Sequence, residues 1–236
     1  MHLFYTPDIH SEEAVLPEEE ARHCVRVMRL KVGDEVMLTD GQGSFYDATL
    51  TIVSPKQCVA SIRERLPQLP QWRGNLHIAV APTKNFDRME WLAEKLTEIG
   101  IDALTFLLCR HSERKTVNDG RIEKLVVAAM KQSLKARLPE LHTLTSFETF
   151  VTQPFTGLKL IAHCNDADDK LRLAEVIRPE GIPTRILIGP EGDFAPEEVA
   201  LALTNGYTPI TLGETRLRTE TAALTAGIAY HILTRP

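Results

Sequence analysis

The sequence lacks the patterns that mark metal sites, disulfide frameworks and membrane spans. Its four cysteines include no Cys-x-x-Cys pair, and its eight histidines show no His-x-x-x-His or His-Glu-x-x-His spacing. We therefore predict reduced, mostly buried thiols and no metal. No apolar run approaches the ~18 residues of a membrane span, and the first residues lack the basic and apolar regions of a signal peptide. We expect a cytoplasmic protein with no membrane partner.

The common nucleotide and hydrolase motifs are also absent. There is no Gly-x-x-x-x-Gly-Lys-Ser/Thr loop, and no Gly-x-Ser-x-Gly elbow. The first apolar run of the α/β region, 76–81, is followed by "PTKNFDR" rather than by Gly-x-Gly-x-x-Gly. These absences argue against a nucleotide-dependent enzyme of the ordinary α/β kind, a Rossmann-like methyltransferase and a serine hydrolase.

The charge gives little support for a nucleic-acid partner. The 236 residues have a formal net charge of −5, which by itself argues mildly against RNA binding. Only residues 72–140 are locally basic, with 12 lysines and arginines against 9 acidic residues. An RNA footprint would therefore be narrow.

The chain changes character near residue 71. Residues 1–71 are predicted to be mostly β, with one helix beginning near "LPEEEARHC" and a turn at 40–43. The segment "PQLPQWRG", 67–74, is typical of a linker. Beyond it, apolar runs at 76–81, 103–109, 158–164, 185–189 and 208–212 alternate with helical patterns. We predict an α/β fold with a mainly parallel sheet in domain 72–236 and a separate domain 1–71.

Two turns at predicted strand ends stand out. "IGPEGDF" places Gly189 and Gly192 where the backbone comes close to a ligand or adopts positive φ. Its carboxylates, Glu191 and Asp193, would repel a phosphate but would suit hydroxyls, an amine or a sulfonium cation. The alternative is an ordinary turn in which Asp193 helps to cap the next helix. The following turn, "LGETRLRTETAAL", ends in a helix with Thr219 as its expected N-cap.

Together with "KNFDRMEWLAEKLTEIG" and "AMKQSLKARLPEL", these two turns resemble the ribosomal small subunit methyltransferase E family. The resemblance extends over nearly the whole chain. It implies a SPOUT α/β-knot with a C-terminal trefoil knot, an N-terminal PUA-like β-barrel, and a homodimer. It also implies a role in rRNA processing and ribosome biogenesis: methylation of N3 of a uridine in 16S ribosomal RNA of the small subunit, using S-adenosyl-L-methionine. The sequence departs from the family at Asp193, where glycine is usual, at Thr215, where arginine is usual, and at Lys135.

The resemblance also implies particular site residues. Arg218 is the first candidate to stabilise the uracil anion, and Glu220 would orient Arg218 or act as the base. The cofactor-binding candidates are His163, Leu187, Gly189, Pro190, Glu191, Gly192, Leu212, Gly213 and Leu217.

The phosphate-contact candidates are single basic residues that would each, alone, be ordinary surface charges. Arg22, Arg26 and Arg29 have the spacing of one helical face. The others are Lys84, Arg88, Arg110 and Arg114. Two further alternatives stay open: a SPOUT enzyme acting on transfer RNA or the large ribosomal subunit, and a noncatalytic RNA-binding module with the same fold.

Overall fold

Two β-sheets organise the chain in the computed structural model, which describes residues 2–10, 12–164 and 170–234. The chain divides into two compact units. Met1–Pro70 and Val127–Leu138 form the first, and Gln71–Val126 and Pro139–Pro236 form the second.

The first unit is built on a six-stranded sheet with the order β1-β4-β5-β6-β3-β2. Strand β5 alternates buried and less buried residues, so that one face of the sheet packs on a core around Phe4, Leu38 and Leu50. The elements are β1 (Leu3–Tyr5), β2 (Ile9–His10), β3 (Glu13–Leu16), α1 (Glu18–Arg26), β4 (Glu35–Thr39), β5 (Ser44–Val53) and β6 (Cys58–Pro67).

The segment Val127–Leu138 packs with this sheet, which the sequence did not predict. The backbone N–H of Gly43 donates to the carbonyl of Ala136 at 2.8 Å, and the N–H of Leu138 donates to the carbonyl of Gly41 at 2.8 Å. The division of the chain into domains at residues 71 and 72 stays a prediction.

Helix α1 ends before Arg29, which was predicted to share one helical face with Arg22 and Arg26. The helix stops at Arg26, and Arg29 has a φ of 56°. The N–H groups of Val27 and Met28 both donate to the carbonyl of His23, which closes the helix before Arg29. The prediction that Arg22, Arg26 and Arg29 share one helical face is therefore wrong, although all three side chains are exposed.

The second unit is built on a seven-stranded sheet in which every pairing is parallel, with the order β11-β13-β10-β12-β7-β8-β9. Its strands are β7 (Leu76–Val80), β8 (Ala103–Leu108), β9 (Glu140–Ser146), β10 (Leu158–Ala162), β11 (Leu171–Arg172), β12 (Thr184–Ile188) and β13 (Thr208–Thr211). The helices that follow α1 are α2 (Asp87–Ile99), α3 (Asp119–Gln132), α4 (Phe147–Val151), α5 (Leu173–Val176), α6 (Pro196–Thr204) and α7 (Thr219–Thr234).

The five apolar runs form five strands of this sheet, which confirms the predicted α/β fold. The edge strands β9 and β11 were not predicted. One of the helical patterns that alternate with the apolar runs covers 169–177. The structure instead has the strand β11 followed by the short helix α5 there, because Leu171 and Arg172 pair with Ile210 and Thr211 of β13. Asp169, at the start of that pattern, lies outside the described residues. Among the described helices, none is long and apolar enough to cross a membrane.

Candidate functional site

Three turns meet at the carboxyl edge of the parallel sheet. His163 follows β10, Gly189 follows β12, and Leu212 follows β13, and these three strands are neighbours. Parallel strands end at the same edge, so the three turns enclose a common space. A first cavity of about 530 Å³ lies there. This volume is within the range of about 300–1,000 Å³ that is usual for small-molecule sites.

A second cavity of about 290 Å³ adjoins the first. It is lined by the turn Gly189–Glu191 and by the start of α7, including Arg218 and Glu220. Both cavities are lined by Ala162, Cys164, Asp193, Arg216, Leu217 and Ala222. The shared wall indicates one composite site with a larger and a smaller compartment.

Asp193 fixes the turn that separates the two cavities. Its φ of 60° lies in the left-handed region, whereas neither Gly189 nor Gly192 has positive φ. The carboxylate of Asp193 accepts the N–H of Cys164 at 2.8 Å and that of Phe194 at 2.8 Å. Asp193 thereby joins the turn after β10 to the turn after β12. It is not the N-cap of α6, which is Ala195.

The two glycines of this turn permit close packing. A Cβ on Gly189 would lie 3.2 Å from Phe194, and a Cβ on Gly192 would lie 3.2 Å from the Cβ of His111. Of the two expected reasons for glycine here, positive φ is therefore wrong. Close approach of the backbone to a ligand stays a prediction, since Gly192 lines the first cavity and Gly189 the second. The backbone of the turn is held from a second side by His111, whose Nδ1 lies 3.0 Å from the carbonyl of Asp193.

Glu191 also has a backbone partner. Its Oε1 accepts the N–H of Lys84 at 3.0 Å, just beyond the end of β7. The residue as a whole is exposed and lines the second cavity. Glu191 therefore gives negative charge to this rim while it holds two strand-end turns together.

The start of α7 is tied to the same turn. Thr219 is the first helical residue rather than the N-cap, and its hydroxyl donates to the carbonyl of Gly189 at 3.0 Å. This buried bond sets the direction in which α7 leaves the sheet. It places Arg218, which is exposed, on the wall of the second cavity.

Glu220 is paired with Arg88 in the second cavity. Its Oε1 lies 3.5 Å from Nη1 of Arg88, while its Oε2 is buried and has no hydrogen-bond partner among the described residues. The Glu220 side chain is only 10% exposed. The described residues include no ion pair between Glu220 and Arg218, so the structure gives no support to Glu220 as the residue that orients Arg218.

Most of the expected cofactor-binding residues surround these two cavities. His163, Gly192, Leu212, Gly213 and Leu217 line the first, and Gly189, Pro190, Glu191 and Leu217 line the second. Leu187 is not among the lining residues, because it is fully buried in a core cluster of the second unit.

Further residues line the site. Lys170 and Thr211, which were not predicted, contact the first cavity, and Cys164 and Arg216 contact both. Cys164 directly follows His163, and Arg216 lies in the turn "LGETRLRTETAAL", so both belong to turns that the sequence indicates.

The expected phosphate-contact residues of the second unit are engaged with the protein. Lys84 pairs with Glu113 at 3.0 Å, and Arg110 pairs with Glu197 at 3.1 Å. Arg114 donates to the carbonyl of Lys84 at 3.0 Å. In the first unit, Arg22 pairs with Glu18 at 3.4 Å. Exposed pairs of this kind are weak, so they leave these cations able to exchange partners.

Metal binding finds no support in the side-chain arrangement. The parts of the chain that the structure describes contain no group of three or more histidine, cysteine, aspartate or glutamate side chains placed to hold an ion. The cavities are instead lined by backbone, small apolar side chains and a few charges.

Comparison with known proteins gives consistent matches over nearly the full length. Residues 70–231 match the model of an RNA methyltransferase domain, and residues 16–63 match that of an RNA methyltransferase PUA domain. A probable rRNA-methyltransferase from Porphyromonas gingivalis is 42% identical, with a TM-score of 0.92 over 99% of this chain and 98% of the other.

Two further proteins are similar over most of their length. The ribosomal RNA small subunit methyltransferase E from Neisseria gonorrhoeae, solved with bound S-adenosyl methionine, has a TM-score of 0.85 and 27% identity over 99% of this chain and 98% of that one. The ribosomal RNA small subunit methyltransferase E of Rickettsia conorii is 27% identical over 92% of this chain and 88% of its own length.

Proposed function

Because the chain belongs to the RNA methyltransferase family, whose domain model matches residues 70–231, we propose that it methylates N3 of a specific uridine in 16S ribosomal RNA with S-adenosyl-L-methionine. The observation that best supports this is the pair of adjoining cavities at the carboxyl edge of the sheet. One is large enough for a cofactor, and the other contains Arg218 and a buried carboxylate beside it.

The first cavity suits this cofactor chemically. Of the turn Gly189–Asp193, Gly192 and Asp193 line this cavity. The turn therefore gives the cavity a carboxylate instead of a cradle of bare N–H groups, which matches a ligand that has hydroxyls and a positive charge but no phosphate. Leu212 and Leu217 give this cavity an apolar wall, and the residues between them give polar groups. When bound, S-adenosylmethionine supplies an electrophilic methyl group on a sulfonium centre.

The second cavity suits the uracil base. N3 lies on the Watson–Crick edge, so the base must be unpaired or flipped out before it can enter the site. N3 also loses a proton, and we propose that Arg218, which lines this cavity, stabilises the charge that develops on the uracil oxygens. We propose that Oε2 of Glu220, which has no partner among the described residues, accepts the N3 proton while Arg88 holds the other oxygen.

We propose further that the first unit contributes to RNA binding as a PUA-like β-barrel domain of residues 1–71, and that the second forms the knotted SPOUT domain of residues 72–236. The match of residues 16–63 to an RNA methyltransferase PUA domain supports the first assignment. Arg22, Arg26, Arg29, Lys84, Arg110 and Arg114 are the proposed phosphate contacts, since each is exposed or half-buried.

We also propose a homodimer that acts in the cytoplasm, where ribosomal subunits are assembled. Ile228 and Ile232 support the dimer, because they are one helical turn apart on α7 and are 41% and 62% exposed. Light scattering of the full chain tests this, and Ile232→Glu is expected to shift a dimer toward the monomer.

The decisive experiment is methyl transfer from labelled S-adenosylmethionine to small ribosomal subunits that lack the modification, followed by mapping of the modified base. N3-methyluridine at one position supports the proposal. Methylation of transfer RNA or large subunits instead, or binding without methylation, would establish one of the two alternatives. Arg218→Ala should abolish transfer with cofactor affinity largely kept, while the exposed control Arg178→Ala should be fully active.

A further inference from the structure

A third cavity lies at the opposite edge of the same sheet from the proposed methyl-transfer site. Its volume is about 350 Å³, and it lies at the amino ends of β7, β8, β9 and β12. Its lining residues include His77, Thr105, His142, Arg185, Phe150 and Phe155. None of these residues contributes to either cavity at the carboxyl edge.

Arg185 is a buried cation on the wall of this cavity. The residue is only 6% exposed. Its Nε and Nη1 atoms are buried and have no hydrogen-bond partner among the described residues, and within these residues it forms no ion pair. The hydroxyl of Tyr207 lies beside the guanidinium. The buried arginine is still costly, because its charge and its Nε and Nη1 donors have lost water without a hydrogen bond in return.

Two aromatic rings compensate the charge only in part. The guanidinium carbon of Arg185 lies 4.5 Å from the ring centre of Phe150 and 4.4 Å from that of Phe155. Cation–π contacts hold the guanidinium plane between the rings. They do not satisfy its N–H donors, which point along the plane rather than toward the rings.

The other polar groups of the cavity do not neutralise Arg185. Nε2 of His77 lies 2.7 Å from the hydroxyl of Thr105, and burial, with Arg185 and His142 nearby, lowers the pKa of His77 to about 3. Asp102 is engaged elsewhere, since its Oδ2 accepts the indole N–H of Trp72 and the N–H of Leu76. Glu140 has a 79% exposed side chain that faces His142 at 3.7 Å.

We propose that this cavity is a binding site for a small oxyanion, a phosphate or a carboxylate group, held by the guanidinium of Arg185 on the cavity wall between Phe150 and Phe155. Guanidinium is the side chain best suited to such groups, and its hydrogen bonds to them are charge-assisted. The hydroxyl of Thr105 and the ring of His142, which also line the cavity, add polar contacts for an anion. The site is independent of methyl transfer.

The test is the thermal unfolding of the full-length chain in sodium phosphate or sodium acetate, against sodium chloride of equal ionic strength. The comparison is made for the wild type, for Arg185→Met, which keeps an apolar contact with the rings, and for the exposed control Arg178→Met. At ten times its Kd an anion raises the folded-to-unfolded ratio about 11-fold, or about 3–5 °C in Tm for a chain of this size. We expect that gain in the wild type and in R178M but not in R185M.

The proposal also predicts how the stability of R185M compares with that of the wild type when no binding anion is added. Because an unpaired buried charge is costly, R185M in sodium chloride should be as stable as the wild type or more stable. A preference for phosphate or for acetate identifies the class of anion. An equal anion effect in R185M and the wild type, or none in either, would overturn the proposal. If R185M does not fold, Arg185→Gln is used with the same expectation, and calorimetric titration of phosphate gives its Kd directly.

Discussion

Asp193 offers the sharpest test of how the site is built, because its backbone and its side chain make separate contributions. The backbone has a φ of 60°, a conformation that glycine adopts without cost and alanine does not. The carboxylate holds the N–H groups of Cys164 and Phe194 at 2.8 Å each. Substitution by glycine removes only the second contribution, whereas alanine removes it and adds backbone strain.

The magnitudes follow from these two contributions. A hydrogen bond to a charged group contributes about 1.5–3 kcal/mol, and the lower end applies here because Cys164 is exposed. Loss of both bonds therefore costs about 3 kcal/mol. Glycine in place of Asp193 recovers about 1 kcal/mol of left-handed strain, which leaves a net loss of about 2 kcal/mol. Asparagine keeps one neutral acceptor and tolerates positive φ, so its loss is about 1 kcal/mol.

Urea denaturation of Asp193→Asn, Asp193→Gly and Asp193→Ala gives the order directly. The free energy of unfolding should fall from wild type to Asn, then Gly, then Ala. Calorimetric titration with S-adenosylmethionine should give affinities in the same order, since the Asp193 carboxylate joins two turns that line the first cavity. Equal stability of the Gly and Ala variants would refute the backbone argument, and a Gly variant as stable as wild type would refute the side-chain argument.

Three further predictions test other parts of the second unit. Gly74→Ala should lower the free energy of unfolding by at least about 3 kcal/mol, because its Cβ would overlap a tyrosine hydroxyl and a backbone carbonyl; Gly206→Ala, with similar positive φ but open space around it, should cost only about 1 kcal/mol in the same urea titration. His77 has a folded-state pKa of about 3, below the value of 6.5 in the unfolded chain, so its contribution to stability is complete above pH 6.5 and is lost as the pH falls toward 3. Between pH 7.5 and 5 this loss is on the order of 2 kcal/mol, and it should be absent from denaturation curves of His77→Gln. Glu220→Gln should lower kcat by about 10²–10³-fold with an unchanged Kd for S-adenosylmethionine, whereas the exposed control Glu180→Gln, outside both cavities, should keep full kcat in the methyl-transfer assay.

The rim of the site could be predicted because it depends on chain order and strand direction. Turns that follow parallel strands meet at one edge wherever the strands lie in the sheet, so His163, Gly189 and Leu212 could be grouped before the strand order was known. The edge strands could not be predicted from chain order and strand direction. Leu171 and Arg172 form a strand only because they pair with β13, and no local sequence pattern indicates that pairing.

The buried charges could not be predicted because an arginine in a sequence gives no sign of its environment. Arg185 begins an apolar strand, where a basic residue usually reaches the surface, yet it lies between two phenylalanine rings. Those rings come from α4 and from the loop that follows it, and neither element was predicted from the sequence. Leu187 shows the converse error, since a leucine near a ligand-binding turn was taken to face the ligand and instead fills the core.

The pairing of Arg88 with Glu220 changes the interpretation of both residues. From the sequence alone, Arg88 is expected to be a phosphate contact, as one basic residue among several in the locally basic segment. If Arg88 left Glu220 to bind RNA, it would leave a carboxylate that is nine-tenths buried with neither oxygen paired among the described residues. Removing one partner of a fully buried pair costs about 3–5 kcal/mol, and at most the lower end applies here because the Arg88 side chain is 37% exposed. A contact to an exposed charge contributes about 1 kcal/mol or less. We therefore infer that Arg88 stays at the second cavity and positions Glu220. Arg88→Ala should then lower kcat while the salt dependence of RNA binding stays that of the wild type. A reduced salt dependence together with full kcat would show instead that Arg88 contacts the RNA backbone.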